Sequence, residues 1–450
     1  MRFLALLLAV SALALACDGS KTARSRPNIL LVTLDTMRAD YLEPYGAPKG
    51  ASPQINAIAA RGVVFERMLA ASSRTAPSHA SLFTSLWVRD HSIGYHNGGT
   101  RLSNEPTLAG LLANAGYETA AFVSNVMLKR RIGLDANFDH YDDALPDREM
   151  NRPQFERTAD KTTGRARAWL DLPHERPLFL WVHYNDPHGP YTPPPMYVEV
   201  LSGEPDAQLP VLSVQRGIGG IPKYQVFGSE REPRQYRARY AAEVRYLDAS
   251  IGRLVGAFEQ SASDASAIVV ITADHGESMG EEGVYFSHGF GTAPNLAHIP
   301  FLLLAEGLPA SRHATPVHHV DVMPTLLEFA GLPIPPEAVG RALGPVLRGE
   351  AALSPDRTLY VDVGEEVSVY RGETFVRARF GDDLGAIEKG SRQAYHWTAP
   401  SSWEPVAPEP KLAELAEAYE RDRAPLLYAD ELDAEDAERL RALGYLEADQ

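Results

Sequence analysis

The chain predicts an α/β fold: a parallel sheet covered by helices, with a smaller α+β part at the carboxyl end. Three observations carry that prediction. Short apolar, β-branched runs at Asn28 to Leu34, Thr119 to Val123, Pro177 to His183 and Ile268 to Ile271 read as strands buried on both faces. Segments with apolar residues three and four apart separate them, as helices packed on a sheet require. After Gly349 this alternation stops, and Leu359 to Val363 and Val367 to Arg379 alternate as antiparallel strands do.

The chain has 450 residues, 44% hydrophobic and 23% charged, enough for one large domain plus a smaller one. Its formal net charge of −16, with no basic stripe, excludes nucleic acid as a partner. Met1-Arg2 and the Leu/Ala-rich stretch Phe3 to Ala16 have the charged start and apolar core of a signal peptide, too short to span a bilayer. Cys17 is the only cysteine, so no intramolecular disulfide forms. Leu13-Ala14-Leu15-Ala16-Cys17 resembles a bacterial lipobox, in which the Cys is lipidated, although Ala14 stands where such boxes prefer Leu. A plain signal peptide with an incidental Cys is the other reading. Both make the protein exported, to the cell envelope or periplasm. The expected division is a signal peptide at 1–16, a lipid-anchored tether at 17–26, a catalytic domain at 27–348 and a subdomain at 349–450.

The first strand ends at Asp35, a residue that serves equally as a helix N-cap or as a ligand at a strand end. Ser52-Pro53 opens a helix carrying Ile55, Ile58 and Ala59, and Val63-Val64-Phe65 is a short strand. In Thr75-Ala76-Pro77-Ser78-His79, Pro77 suits a first helical turn and places Thr75 at the helix mouth, where free N–H groups favour an anion. Thr75 is either a helix cap or, beside a metal, a nucleophile. A helix over Thr107 to Gly116 precedes the strand Thr119 to Val123, and Asn125 follows as a turn residue or a substrate donor. The helix Thr158 to Leu172 leads to the strand ending in His183, which reads as a core histidine. Leu201 to Glu232, which carries Gly217, Gly219, Gly220 and Pro222 and has no helical period, reads as a long surface loop or lid. Tyr236 to Phe258 is a long amphipathic helix.

The run Ile268 to Ile271 leads to Asp274-His275-Gly276. A hard carboxylate oxygen and a borderline imidazole nitrogen together suit zinc or manganese better than calcium. His288 follows in a glycine-rich loop, and the strand Ile299 to Leu304 follows that. His318-His319 precedes a helix that Asp321 caps and reads as structural. Helices close the chain at Glu409 to Tyr419 and Ala434 to Leu443.

Several of these segments together resemble the sulfatase family of the alkaline-phosphatase superfamily. They are Asn28 to Asp35, Ser52-Pro53-Gln54-Ile55-Asn56, Thr75 to Ser85, Asn185-Asp186-Pro187-His188, Asp274-His275-Gly276-Glu277, Asp321 to Thr325 and the tail Leu440 to Leu446. The resemblance implies a three-layer α/β/α sandwich with a small C-terminal α+β subdomain, and one divalent cation held by Asp35, Thr36, Asp274 and His275. It implies that His188 and His288 serve catalysis beside Thr75, and that His79 and Asn125 meet the substrate. The departures are specific. The family's Cys or Ser, oxidised to formylglycine, is Thr75 here, and oxidising a Thr would give a ketone rather than an aldehyde. The family's Arg four residues on is His79, and the second of its paired aspartates is Thr36. The expected activity is therefore metal-dependent hydrolysis of a sulfate or phosphate ester with Thr75 as a plain alkoxide nucleophile. A periplasmic transferase of the phosphoethanolamine type and a non-catalytic binding protein on the same scaffold are the other functions left open.

Overall fold

A computed structural model describes residues 26–423, apart from 92, 94–100, 103–104, 200, 202–206, 263–265, 382–386 and 400–401. The expected signal peptide and tether (apart from Arg26), the terminal helix Ala434 to Leu443 and the tail Leu440 to Leu446 lie outside the described residues.

The main sheet has nine strands. Its centre is parallel: Asn28–Leu34 lies between Ala267–Ala273 and Leu178–Tyr184, and Glu118–Phe122 and His140–Asp142 continue beyond the latter. On the other side His298–Ala305 runs antiparallel between Ala267–Ala273 and Val63–Leu69. Every residue of the Asn28–Leu34 and Leu178–Tyr184 strands is buried, as their unbroken apolar runs require. The sheet is thus mixed, with an antiparallel strand beside a parallel core, a common variant of such folds.

The helices form close to where the sequence places them. Pro53–Ala59, Thr75–Thr84, Leu108–Asn114, Ala159–Leu170 and the 29-residue Pro233–Ser261 cover the sheet. Thr107 caps its helix by accepting from the Gly110 N–H at 3.1 Å. The long loop before Pro233 is pinned rather than free: Tyr285 N–H donates to Gly217 O and Gly217 N–H to Ser287 Oγ. A Cβ on Gly217 would lie 1.7 Å from Tyr285 O, so only glycine allows that approach.

After residue 349 a five-stranded antiparallel sheet forms from Leu359–Asp362, Glu366–Arg371, Thr374–Arg379, Arg392–Ala399 and Ser402–Pro405, with Pro410–Arg421 packed on it. Two of these strands, Arg392–Ala399 and Ser402–Pro405, are additions to the sequence reading. The His318-His319 pair is structural: His318 Nε2 donates to Tyr360 O, and His319 bridges Ala71 N–H and Ala273 O. Asp321 accepts from His318 N–H and from both terminal nitrogens of Arg357.

Candidate active site

Register brings the site together. Leu34 pairs with Ala273 on one side and Tyr184 on the other, so the residues after all three strands emerge side by side at the carboxyl edge. Asp35 and Asp274 are fully buried there. Asp274 Oδ1 accepts the N–H groups of Thr36 and His275, at 3.1 and 2.7 Å. Thr36 holds φ at +54°, a strained value for a β-branched residue, and its buried hydroxyl has no partner.

The cation-facing atoms are identified by what the remaining atoms do. Asp35 Oδ2 accepts from Asn125 Nδ2 at 2.6 Å, while Oδ1 is buried and unpartnered. Asp274 Oδ2 is likewise unpartnered. His275 Nδ1 donates to Gly276 O at 2.9 Å, so Nε2 carries the lone pair. That Nε2 lies 3.9 Å from Asp35 Oδ1, 3.6 Å from Asp274 Oδ2 and 3.5 Å from Thr75 Oγ1. Donors about 2.0–2.2 Å from one cation lie roughly 3–4 Å from each other, so the set fits a divalent ion. Asp35, Asp274 and His275 form a candidate metal-binding group. Burial raises the Asp274 carboxyl to about 6 and, together with Asp274, holds Asp35 well above its usual range. Burial holds His275 well below the ordinary imidazole value, which keeps it neutral as a ligand must be. Gly276 is fixed by contact: a Cβ there would lie 2.2 Å from Asn295 O.

Thr75 is the first residue of its helix, Arg74 holding the cap position, so its hydroxyl is not spent as a cap. His188 and His288 stand together, ring centroids 5.1 Å apart, and His288 lies 4.6 Å from the His275 ring. His288 Nδ1 lies 3.4 Å from both oxygens of buried Glu277, which also accepts from Tyr191 OH. His188 Nδ1 is buried without a partner, and burial holds its pKa well below the usual value. Behind this turn Asp186 and Glu243 share a buried hydrogen bond. Burial pushes Asp186 up to about 6 and Glu243 well above its ordinary value.

The two residues expected to meet substrate are otherwise engaged. His79 is fully buried; its Nδ1 donates to Thr75 O at 2.8 Å and its Nε2 accepts from Thr33 Oγ1 at 3.0 Å. Thr33 in turn accepts from the Trp181 indole. Asn125 spends its amide on Asp35 and Asn185 and its oxygen on Met127 N–H, so it orients the Asp35 carboxylate.

Two further residues reach this region. His183, read from sequence as core, has Nε2 3.7 Å from Asp35 Oδ2. Arg152 is buried, paired with Glu149 and bonded to Gly189 O beside His188. Nothing in the apolar strand around His183 sets it apart in sequence, and Arg152 lies outside any periodic segment.

With this geometry the chain's relatives become informative. The family model described as Sulfatase matches residues 27–332, more than half of the chain. The chain is 24% identical over 370 residues to the Delta 4,5-hexuronate-2-O-sulfatase of Bacteroides thetaiotaomicron, covering 74% of each. It is 25% identical over 388 residues to the choline-sulfatase of Rhizobium meliloti, covering 73% of each. Among solved structures it resembles the phosphonate monoester hydrolase SpPMH of Silicibacter pomeroyi, with a TM-score of 0.68 at 20% identity, covering 88% of this chain and 95% of that one. The strand-end carboxylates, the Asp-His pair and the helix-mouth hydroxyl therefore sit in a chain that belongs to the sulfatase family of ester hydrolases.

Proposed function

We propose that the protein is an exported, metal-dependent hydrolase of sulfate or phosphate-type esters that uses Thr75 as its nucleophile. One observation carries the reading: Thr75 Oγ1 lies 3.5 Å from His275 Nε2, in a pocket where Asp35 and Asp274 each leave one buried oxygen unpartnered. Asp35, Asp274, His275 and Thr75 would hold the cation, zinc or manganese by their donor chemistry. When bound, such an ion lowers the pKa of a coordinated hydroxyl and withdraws charge from an ester oxygen.

Thr75 Oγ, its proton lost to solvent, attacks sulfur or phosphorus in line; the bond to the ester oxygen breaks on the opposite side, and the leaving oxygen takes a proton from water to depart as the alcohol. His188 and His288, standing together beside His275, donate to the oxygens on which charge develops. The low basicity that burial gives His188 suits hydrogen-bond donation over full proton transfer. The covalent ester on Thr75 has no second hydroxyl on its Cβ, so water must attack sulfur or phosphorus to free it. Asn125 keeps Asp35 aimed inward throughout. The N-terminal Cys17, on the lipobox resemblance, would hold the enzyme at a membrane. Among the described residues no helix is long and apolar enough to cross one.

The test is a panel of aryl sulfates, phosphate monoesters, diesters and phosphonate monoesters, each assayed with zinc, manganese or calcium. Thr75→Ala should cut turnover of the best substrate by about 10³-fold or more while metal content stays unchanged. Retention of most activity would remove Thr75 from the nucleophile role, and a wild type inert on the whole panel would remove the hydrolase.

A further inference from the structure

One helical turn below Thr75 lies a second group of donors, two of which the reaction does not use. His79, His183 and Asp274 are fully buried, and one ligand atom from each lies within 4.8 Å of the other two. Neither nitrogen of His183 has a hydrogen-bond partner, and neither has Asp274 Oδ2. A buried imidazole with both nitrogens unpaired, beside an unpaired carboxylate oxygen, is costly unless something is bound there. Asp274 belongs to this group and to the first cation position alike.

Charge points the same way. The sulfatase resemblance places a permanently charged Arg at position 79, and this chain has a histidine there. His79 thus puts an imidazole nitrogen 4.0 Å from Asp274 Oδ2. Two imidazole nitrogens and a carboxylate oxygen are a zinc-type donor set.

We propose that His79, His183 and Asp274 form a second divalent-cation position that shares the Asp274 carboxylate with the first. His79 Nδ1, 4.0 Å from Asp274 Oδ2, takes the cation in the other tautomer: its proton moves from Nδ1 to Nε2, which then donates to Thr33 Oγ1, and the bond to Thr75 O is given up. The Thr75 carbonyl oxygen is released as a fourth donor, closing a tetrahedral site with no open position. This second cation does not touch substrate. It neutralises Asp274 and ties the Thr75 helix to the sheet through His183.

The proposal rests on the first cation position described above, and the test separates the two. Metal-free full-length protein is titrated with zinc against a chromophoric chelator, and bound metal is counted by plasma mass spectrometry. Wild type should take two tight equivalents, and His183→Ala and His275→Ala one each. Cobalt substitution should show two sets of visible bands in wild type and one in each variant. A single wild-type equivalent that His275→Ala abolishes overturns the second position alone. Two equivalents persisting in His183→Ala also overturn it. No tight equivalent at all overturns the metal reading of the first position as well. Should His183→Ala fail to fold, the wild-type count and His183→Gln decide the matter.

Discussion

The strand-end site and the Glu366 node are both buried and both charged, yet they treat their charges in opposite ways. Glu366 accepts from Thr292 N–H and hydroxyl, from Arg377 Nε at 3.0 Å and from Arg379 Nη1 at 3.2 Å. Burial would raise this carboxyl, but Arg377 and the hydrogen bonds outweigh it and hold it below its usual value. At the strand ends Asp35, Thr36, Asp274 and His183 each keep a buried atom with no partner. The first arrangement joins the C-terminal sheet to residues 282–292 and is complete as it stands. The second is complete only with something added, and that incompleteness is the mark of a working site.

If this contrast is right, substitutions in the two places should fail differently. Asp274→Asn should lower turnover by about 10³-fold or more and strip the metal. The melting temperature of the metal-free protein should stay level or rise, because Asn carries no buried charge. A large loss of metal-free stability would make Asp274 a structural residue like Glu366. Glu366→Ala should instead cost about 3–5 kcal/mol in denaturant unfolding, since it removes the buried carboxylate that Arg377 and Arg379 share. A loss below 1 kcal/mol would show the node to be ornamental.

Asp186 and Glu243 test the contrast through pH. Both have folded pKa values raised by burial, Asp186 to about 6, so their contribution is whole below the unfolded values near 4 and fades as pH climbs through the folded ones, about 6 for Asp186. Glu243→Gln should flatten that decline and leave the variant more stable than wild type at pH 8, by about 1–3 kcal/mol. Parallel curves of melting temperature against pH would remove the pair as its source. Thr107→Ala gives the scale of one ordinary satisfied group: about 1 kcal/mol, with turnover and metal content untouched.

Sequence showed the strand ends well because an apolar run broken by a carboxylate is visible in one dimension. Asp35, Asp274 and His275 were legible for that reason, and Thr75 because Pro77 fixes where its helix begins. His183 was not, since its place depends on which strands are neighbours: it pairs with Thr33, two residues before Asp35. Asn125 and His79 lie in the expected neighbourhood, but the partners that hold them, Asp35, Asn185 and Thr33, are distant in the chain and not visible in it. The Arg392–Ala399 strand does alternate, with Tyr395 and Trp397 buried, but short polar flanks masked it.

One strand also fixes which way the molecule faces. Asn28–Leu34 crosses the sheet once, entering at its amino edge and delivering Asp35 at the carboxyl edge, about 23 Å away for seven extended residues. Anything that fastens the chain upstream of Arg26 therefore grips the pole opposite the catalytic mouth.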